Sequence, residues 1–493
     1  MNITLILFSI NIIAQNTKEI KILNADNTFA NNNHHPDYWR LVGNVIFMHN
    51  NIIMNCDSAY HYSNEEKMQA FGRITINQGD SITITGENLT YFGDINLANI
   101  AGNVALKDNY MTLKTNKISY NLTTNIAYYT NKGIIVNQEK KISSKKGTYN
   151  SNYYKFIFKD SVEVIAEDYN ILTDTMHYNS KSEITYFYGP SFILSDNKII
   201  YCENGWYNTK TDLAQFKNNA YIKSDEYLLT GDSLFYDKKN GYGKVINNVE
   251  VIDSIDNTTV IGGLAEYYEN EKHVKITLNP MLQILFNEDT LFMVADKFIC
   301  NQKVISKNLL AYNNVKFYKT NLQGKCDSLS YNISDSILEM YVNPILWIEG
   351  FQITADSLKL LLNNRKLDVL FIKPNPMIIF KEDSINYNQI KGKNMFAYFI
   401  DNKLNRIDVK GNGQSILIVE DEEKNDKIGL NYIECTNITL YFKNSTLETV
   451  NYQIKPNSIT TPYHNVEEKE RYLKGFIWRE DEQPKNKEDI QIL

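Results

Sequence analysis

Proline and glycine are scarce: the 493-residue chain holds 9 Pro and 22 Gly, with no Pro-rich or Gly/Ser-rich tract to serve as a linker. Cysteine numbers 5, an odd count with no Cys-x-x-Cys spacing, which excludes a full disulfide framework and a zinc ribbon. Positive charge is in deficit, with 51 Lys and Arg against 58 Asp and Glu and a net charge of -7. No broad surface can neutralise a nucleic-acid backbone, so nucleic acid is not a partner. After the N-terminus no apolar run is long enough to cross a bilayer as a helix. Also missing are the Gly-x-Ser-x-Gly elbow, the phosphate-binding glycine loop and His-Glu-x-x-His. No residue set for catalysis and no cofactor site is left. The chain is not expected to be an enzyme.

What the sequence has is aromatic and β-branched: 34 Tyr and 22 Phe, with hydrophobic residues at 43% and charged ones at 22%. That is ample material for a core and favours strands over helices. Residues 1–14, Met1 to Ala14, form a short apolar run followed by polar sequence, as a signal peptide does. Residues 15–40 read as a polar leader, and His34-His35 within it as exposed linker, since no spaced ligand accompanies them.

A repeat fills nearly everything else. Its clearest phrase is Asp-Ser-Leu-x-Tyr, as in Asp232-Ser233-Leu234-Phe235-Tyr236 and Asp327-Ser328-Leu329-Ser330-Tyr331. The closing aromatics Tyr91, Tyr120, Tyr149, Tyr178, Tyr207 and Tyr236 stand 29 residues apart. Later landmarks (Tyr267, Cys300, Tyr331, Leu360, Phe396) follow at wider, uneven steps, the mark of loop insertions. A second phrase opens with Gly or Asn and continues in apolar alternation: Gly43-Asn44-Val45-Ile46-Phe47, Gly72-Arg73-Ile74-Thr75-Ile76, Asn247-Asn248-Val249-Glu250-Val251. The turn residues are expected to end one strand and start the next. Pro190, Pro280, Pro344 and Pro376 share the second slot of this phrase, where a missing amide is tolerated.

Period-2 alternation puts Leu234 and Tyr236 on an inner face, with Ser233 and Phe235 outside. One copy cannot bury such a face alone, so the copies must stack around a shared core. The expected fold is all-β: an extended, stacked repeat β-jellyroll or β-solenoid in one or two segments. Repeats 41–255 form the regular part and 256–465 the part with insertions, with a looser joint around 255–310 and a charged tail over 466–493. Cys56, Cys202 and Cys326 occupy a small buried slot also filled by Gly86 and Ala295. The acids heading the phrases (Asp57, Asp174, Asp232, Asp296, Asp327, Asp356) read as turn residues bonding nearby backbone, not as a metal ladder.

The alternation of Gly-Asn-Val and Asp-Ser-Leu-x-Tyr phrases, with Lys67-Met68-Gln69-Ala70-Phe71-Gly72 closing a copy, resembles the OstA-like family over roughly residues 35–460. That resemblance implies a lipopolysaccharide-transport role. In it, an open jellyroll of V-shaped strands takes lipid A acyl chains, and edge strands join to other transport proteins. It also implies the periplasm, with or without outer-membrane association, and a position peripheral to membranes. Matching the family's interior pattern are Val45, Phe47, Ile74, Ile76, Val104, Leu106, Val162, Val164, Val249, Val251, Val315 and Phe317, the candidate acyl-chain contacts. A structural or adhesive solenoid without lipid, and a glycan-cleaving β-helix with Asp327 and Asp356 as its paired acids, are the competing expectations.

Overall fold

A computed structural model describes all residues except 1–18, 32–34, 80–81, 137–139, 256, 287–288, 304–305, 364–365, 422–425, 444–445 and 492–493. The apolar run of residues 1–14 therefore lies outside the described residues. Among the described residues, strands and a few single-turn 3-10 segments make up the regular structure, and no helix is long and apolar enough to cross a membrane. The chain divides into two compact units, residues 1–218 and 219–493.

In the first unit each 29-residue repeat supplies two antiparallel strands. Tyr91 closes the strand Ile82–Phe92 and Tyr120 closes Thr112–Asn121, while Leu97–Lys107 runs between them in the opposite sense. The tyrosines thus fall on every second strand. Their neighbours across the ladder are small: Tyr91 faces Ala98, Ala98 faces Tyr120, Tyr120 faces Ala127, and Ala127 faces Tyr149. Large and small alternate along the row because rings on adjacent strands, about 4.8 Å apart, would crowd one another.

Every long strand is bent at its middle. Thr112–Asn121 pairs through its first half with Gly133–Val136 and through its second with Ile126–Tyr129. The strands therefore build two walls that meet along a line of corners. The Gly/Asn phrase is that corner. It does not end the strand, as expected above, but sits inside Lys67–Gln78 as a bulge, with the register shifting between Phe71 and Ile74. Two consecutive left-handed residues make the bend: Gly72 at φ +72° then Arg73 at +42°, Asn247 at +57° then Asn248 at +47°. Glycine enters this region freely, and asparagine with less penalty than most residues. Proline does interrupt the strand at Asn279-Pro280, since one strand ends at Thr277 and the next begins at Met281.

The acids at the phrase heads hold these corners. Asp57 accepts from Arg73 Nε at 2.8 Å, Asp232 from Asn248 Nδ2 at 3.0 Å, and Asp356 from Asn375 Nδ2 at 2.8 Å. In these three the partner is a side chain of the next strand's corner, not the nearby backbone that turn chemistry suggests, whereas Asp174 and Asp327 accept from the adjacent hydroxyls of Thr175 and Ser328. Stacking brings successive corners side by side, which spacing within one phrase does not reveal.

The leader also differs from expectation. Lys21–Asn24 and Asn27–Asn31 pair with His35–His49, and Asp26 accepts from Asn44 Nδ2 at 3.0 Å. Asp26-Asn27-Thr28-Phe29 is a degenerate copy of the repeat phrase and caps the array as a strand pair.

The second unit is likewise built from strands bent between two walls, with more interruptions: Leu322–Asn332 pairs by one half with Ile337–Tyr341 and by the other with Ile345–Ile348. Here the C-terminal tail is packed down. Gln389 donates to the Arg471 carbonyl and accepts from the Leu473 amide, both at 2.8 Å. Gln352 does the same to the Ile477 carbonyl and the Arg479 amide, at 2.7 and 2.8 Å. Lys325 and Lys381 pair with Glu482 and Glu480 at 2.6 and 2.9 Å. Leu473 joins Met377, Ile379, Ile416 and Leu430 in one buried cluster. The strap explains why Ile345–Ile348 is buried on both faces.

Candidate functional site

The two walls enclose an apolar interior that runs through the repeats. In the first unit one unbroken ladder joins Phe47, Met54, Ile76, Ile84, Leu106 and Leu113 across successive strands of the second wall. Of the residues predicted to line the interior, Val45, Phe47, Ile74, Ile76, Val104, Leu106, Val162 and Val164 are buried in the first unit, and Val249, Val315 and Phe317 in the second. Val251 alone is partly exposed. Eleven of the twelve are thus buried. Cys56, Cys202 and Cys326 are buried at the corner slot, where burial pushes each thiol up to about 12.

The interior of the first unit is filled by its own side chains. Tyr91, Tyr120, Tyr149, Phe47 and Phe156 are among the largest fully buried groups. Its free edge, where the tips of the two walls approach, is latched. Tyr91 Oη meets His49 Nδ1 at 2.5 Å, the Tyr120 hydroxyl donates to Gln78 Oε1, and the Tyr149 hydroxyl donates to Asp108 Oδ2. Each tyrosine sits on the first wall and its partner on the tip of the second, 41 or 42 residues earlier. Burial raises all three phenols above their ordinary range, with the Asp108 bond adding to the effect at Tyr149. Asp108 is itself held by the Tyr110 and Met111 amides, each at 2.8 Å. Sequence reasoning found the tyrosines and missed their partners. The signal was present, because His49, Gln78 and Asp108 all stand at the end of the alternating phrase, one per repeat.

The latch position changes along the chain. The residue corresponding to a Tyr207 partner is Ala166, and the Tyr207 hydroxyl donates instead to Asp212 within its own hairpin, at 3.2 Å. In the second unit Tyr236 donates sideways to Glu269 at 2.9 Å. The position corresponding to a Tyr267 partner is Ser224, whose hydroxyl accepts from the Tyr227 amide of its own turn at 3.1 Å. Around these strands Tyr227, Leu229, Tyr236, Val251 and Tyr267 are all partly exposed.

The ladder is antiparallel in every pairing described, which rules out the parallel β-helix of the glycan-cleaving reading. Asp327 accepts from Ser328 and Asp356 from Asn375, so the proposed acid pair is engaged at two separate corners. Among the described residues no three His, Cys, Asp or Glu side chains gather to hold a metal ion.

Residues 17–174 and 170–232 match the family model described as OstA-like protein. Seventeen chains of known structure match. One is the crystal structure of LptH, the LptA-homologous periplasmic component of the lipopolysaccharide transport device of Pseudomonas aeruginosa. It is 10% identical, at a TM-score of 0.23, over 29% of this chain and 95% of that one. No curated protein matches. The family match thus spans residues 17–232, a little under half of the 493-residue chain.

Proposed function

We propose that this chain is a periplasmic, non-enzymatic bridge protein that carries lipopolysaccharide, held by its lipid A acyl chains, toward the outer membrane and so supports outer-membrane assembly. The observation that carries the reading is the unbroken aliphatic ladder from Phe47 through Leu113 on the inner face of an OstA-like array. An apolar interior continuous from strand to strand offers an acyl chain the same surroundings at each step. Burying each methylene gains about 0.8 kcal/mol, so a twelve-carbon chain gains roughly 10 kcal/mol. A groove of uniform affinity does no work on its cargo, so directed flow requires an outside energy source. The end strands Lys21–Asn24 and Thr446–Gln453 are the surfaces through which other transport proteins would add by strand pairing.

The walls must part before lipid can replace the side chains that fill the latched strands. Each latch opposes this with about 0.5–1.5 kcal/mol for a neutral hydrogen bond and about 1.5–3 kcal/mol where a carboxylate accepts. These terms are smaller than the gain from one acyl chain, so latching tunes access and does not forbid it. The filled interior around Tyr91, Tyr120 and Tyr149 is what favours the second reading, a structural solenoid without cargo. Denaturing extraction of the full chain, purified without detergent, separates the two. Lipopolysaccharide released in near-equimolar amount to the protein is the expected result, and its absence from a folded, exported preparation favours the structural reading.

A further inference from the structure

We infer that the acyl chains of lipopolysaccharide enter the interior sideways at one place in the second unit, between the strands Tyr227–Asp237, Tyr242–Asp253 and Thr258–Tyr268. The inference rests on the lipid-carrying reading and goes on to name its port.

Three independent features converge there. The first is the latch position, which in this stretch holds Ser224, a short side chain spent within its own turn. Among the described residues no side chain hydrogen-bonds the Tyr267 hydroxyl across the mouth as His49, Gln78 and Asp108 bond theirs; its neighbour there is the Tyr227 phenol. The second is the lip of the first wall, where the row reads Tyr236, Gly243, Tyr267 across the ladder. Gly243 adds no side chain between the two rings, and a Cβ there would lie 3.4 Å from the Tyr267 Cβ and 3.7 Å from Tyr236. That is ordinary contact distance, so the glycine is not demanded by crowding; it leaves a gap in the row. The third is the opposite lip, made by Leu229 and Val251, which face one another across the ladder and are partly exposed. Deeper in, Leu234, Val245 and Val249 are buried. The lip is thus apolar and continuous with the interior, bordered by phenolic hydroxyls. It suits a saturated chain whose polar head stays outside.

The strap bounds the port on one side. It fastens the second wall from Gln389 back to Gln323, and Lys487 near its end lies over the Phe292 ring, 5.8 Å from the centroid. The strands bearing Leu229 and Val251 come before Phe292 in the order of pairing, beyond the reach of these contacts, and so are free to part.

The test places a photoreactive phenylalanine derivative at Leu229 or Val251, and in parallel at Ile84 or Leu106 beneath the latches. Each purified, folded full-length variant is irradiated with lipopolysaccharide micelles or with phosphatidylethanolamine/phosphatidylglycerol vesicles. Adducts with lipopolysaccharide at Leu229 and Val251, at least fivefold above those at Ile84 and Leu106 after brief exposure, are expected. Ser224→Gln, which offers Tyr267 a cross-mouth partner, and Gly243→Leu, which fills the gap, should each lower adducts at Val251 severalfold while the protein stays folded by circular dichroism. Early adducts at Ile84 and Leu106 equal to those at Val251 would overturn the port and leave lipid carriage intact. Adducts only from phospholipid vesicles would overturn the choice of cargo, and adducts at no site would overturn both readings.

Discussion

The Tyr149 hydroxyl donates to the Asp108 carboxylate from the opposite wall, and this bond closes the interior at that level of the stack. Tyr149→Phe removes the donor and leaves the buried carboxylate with only its two amide partners. The expected cost is about 1–3 kcal/mol, the penalty for an under-satisfied buried acceptor. Because a repeat array couples mainly neighbours, the loss should be local. Hydrogen exchange should quicken in Lys146–Asn150 and Leu97–Lys107 and stay unchanged in the second unit.

The corner at Gly72 and Asp57 separates backbone from side-chain effects. A Cβ on Gly72 would lie 2.3 Å from Asp57 Oδ2, at a φ of +72°. Gly72→Ala should therefore destabilise by about 1–2 kcal/mol through strain. Asp57→Ala removes only a solvent-exposed ion pair with Arg73 and should cost under about 1 kcal/mol. Urea unfolding of the two variants checks the order.

The strap makes a prediction in proteolysis. Gln352→Ala strips both partners from the Ile477 carbonyl and the Arg479 amide, and the tail should lift locally. Trypsin would then cut after Lys474 and Arg479 at least tenfold faster than in the parent chain. Equal rates would mean that the buried cluster around Leu473 holds the tail without the glutamines.

Alkaline pH should weaken the corners. Burial pushes the Cys56, Cys202 and Cys326 thiols from 9.0 up to about 12. A raised folded pKa means the neutral form is favoured in the native state, so its stabilisation is complete below pH 9 and is lost as pH rises from there toward 12. Replacing the three with alanine should flatten the stability profile over that window. In the native protein at pH 8 the three should also resist maleimide until unfolding.

Much of the fold was legible because its information is local and repeated. A tyrosine every 29 residues, with small residues such as Ala98 and Ala127 between, reports strands in pairs, and alternation at Val104 and Leu106 reports the inner face. Contacts between distant copies were not legible. That Asp57 would take Arg73, or Tyr149 would take Asp108, depends on which corners and tips stacking brings together. The packing of the tail was not legible for a related reason. Its charges, Glu480 and Glu482, disguise a segment whose docking depends on Gln389 and Gln352, two buried polar residues on distant strands.

Lipid carriage itself is tested most directly in living cells, by photocrosslinking from the alternating positions Val249, Glu250 and Val251. The account predicts lipopolysaccharide adducts from the inward Val249 and Val251, and none from the outward Glu250. Adducts from none of the three in a folded, exported protein, or from Glu250 as readily as from Val251, would contradict it.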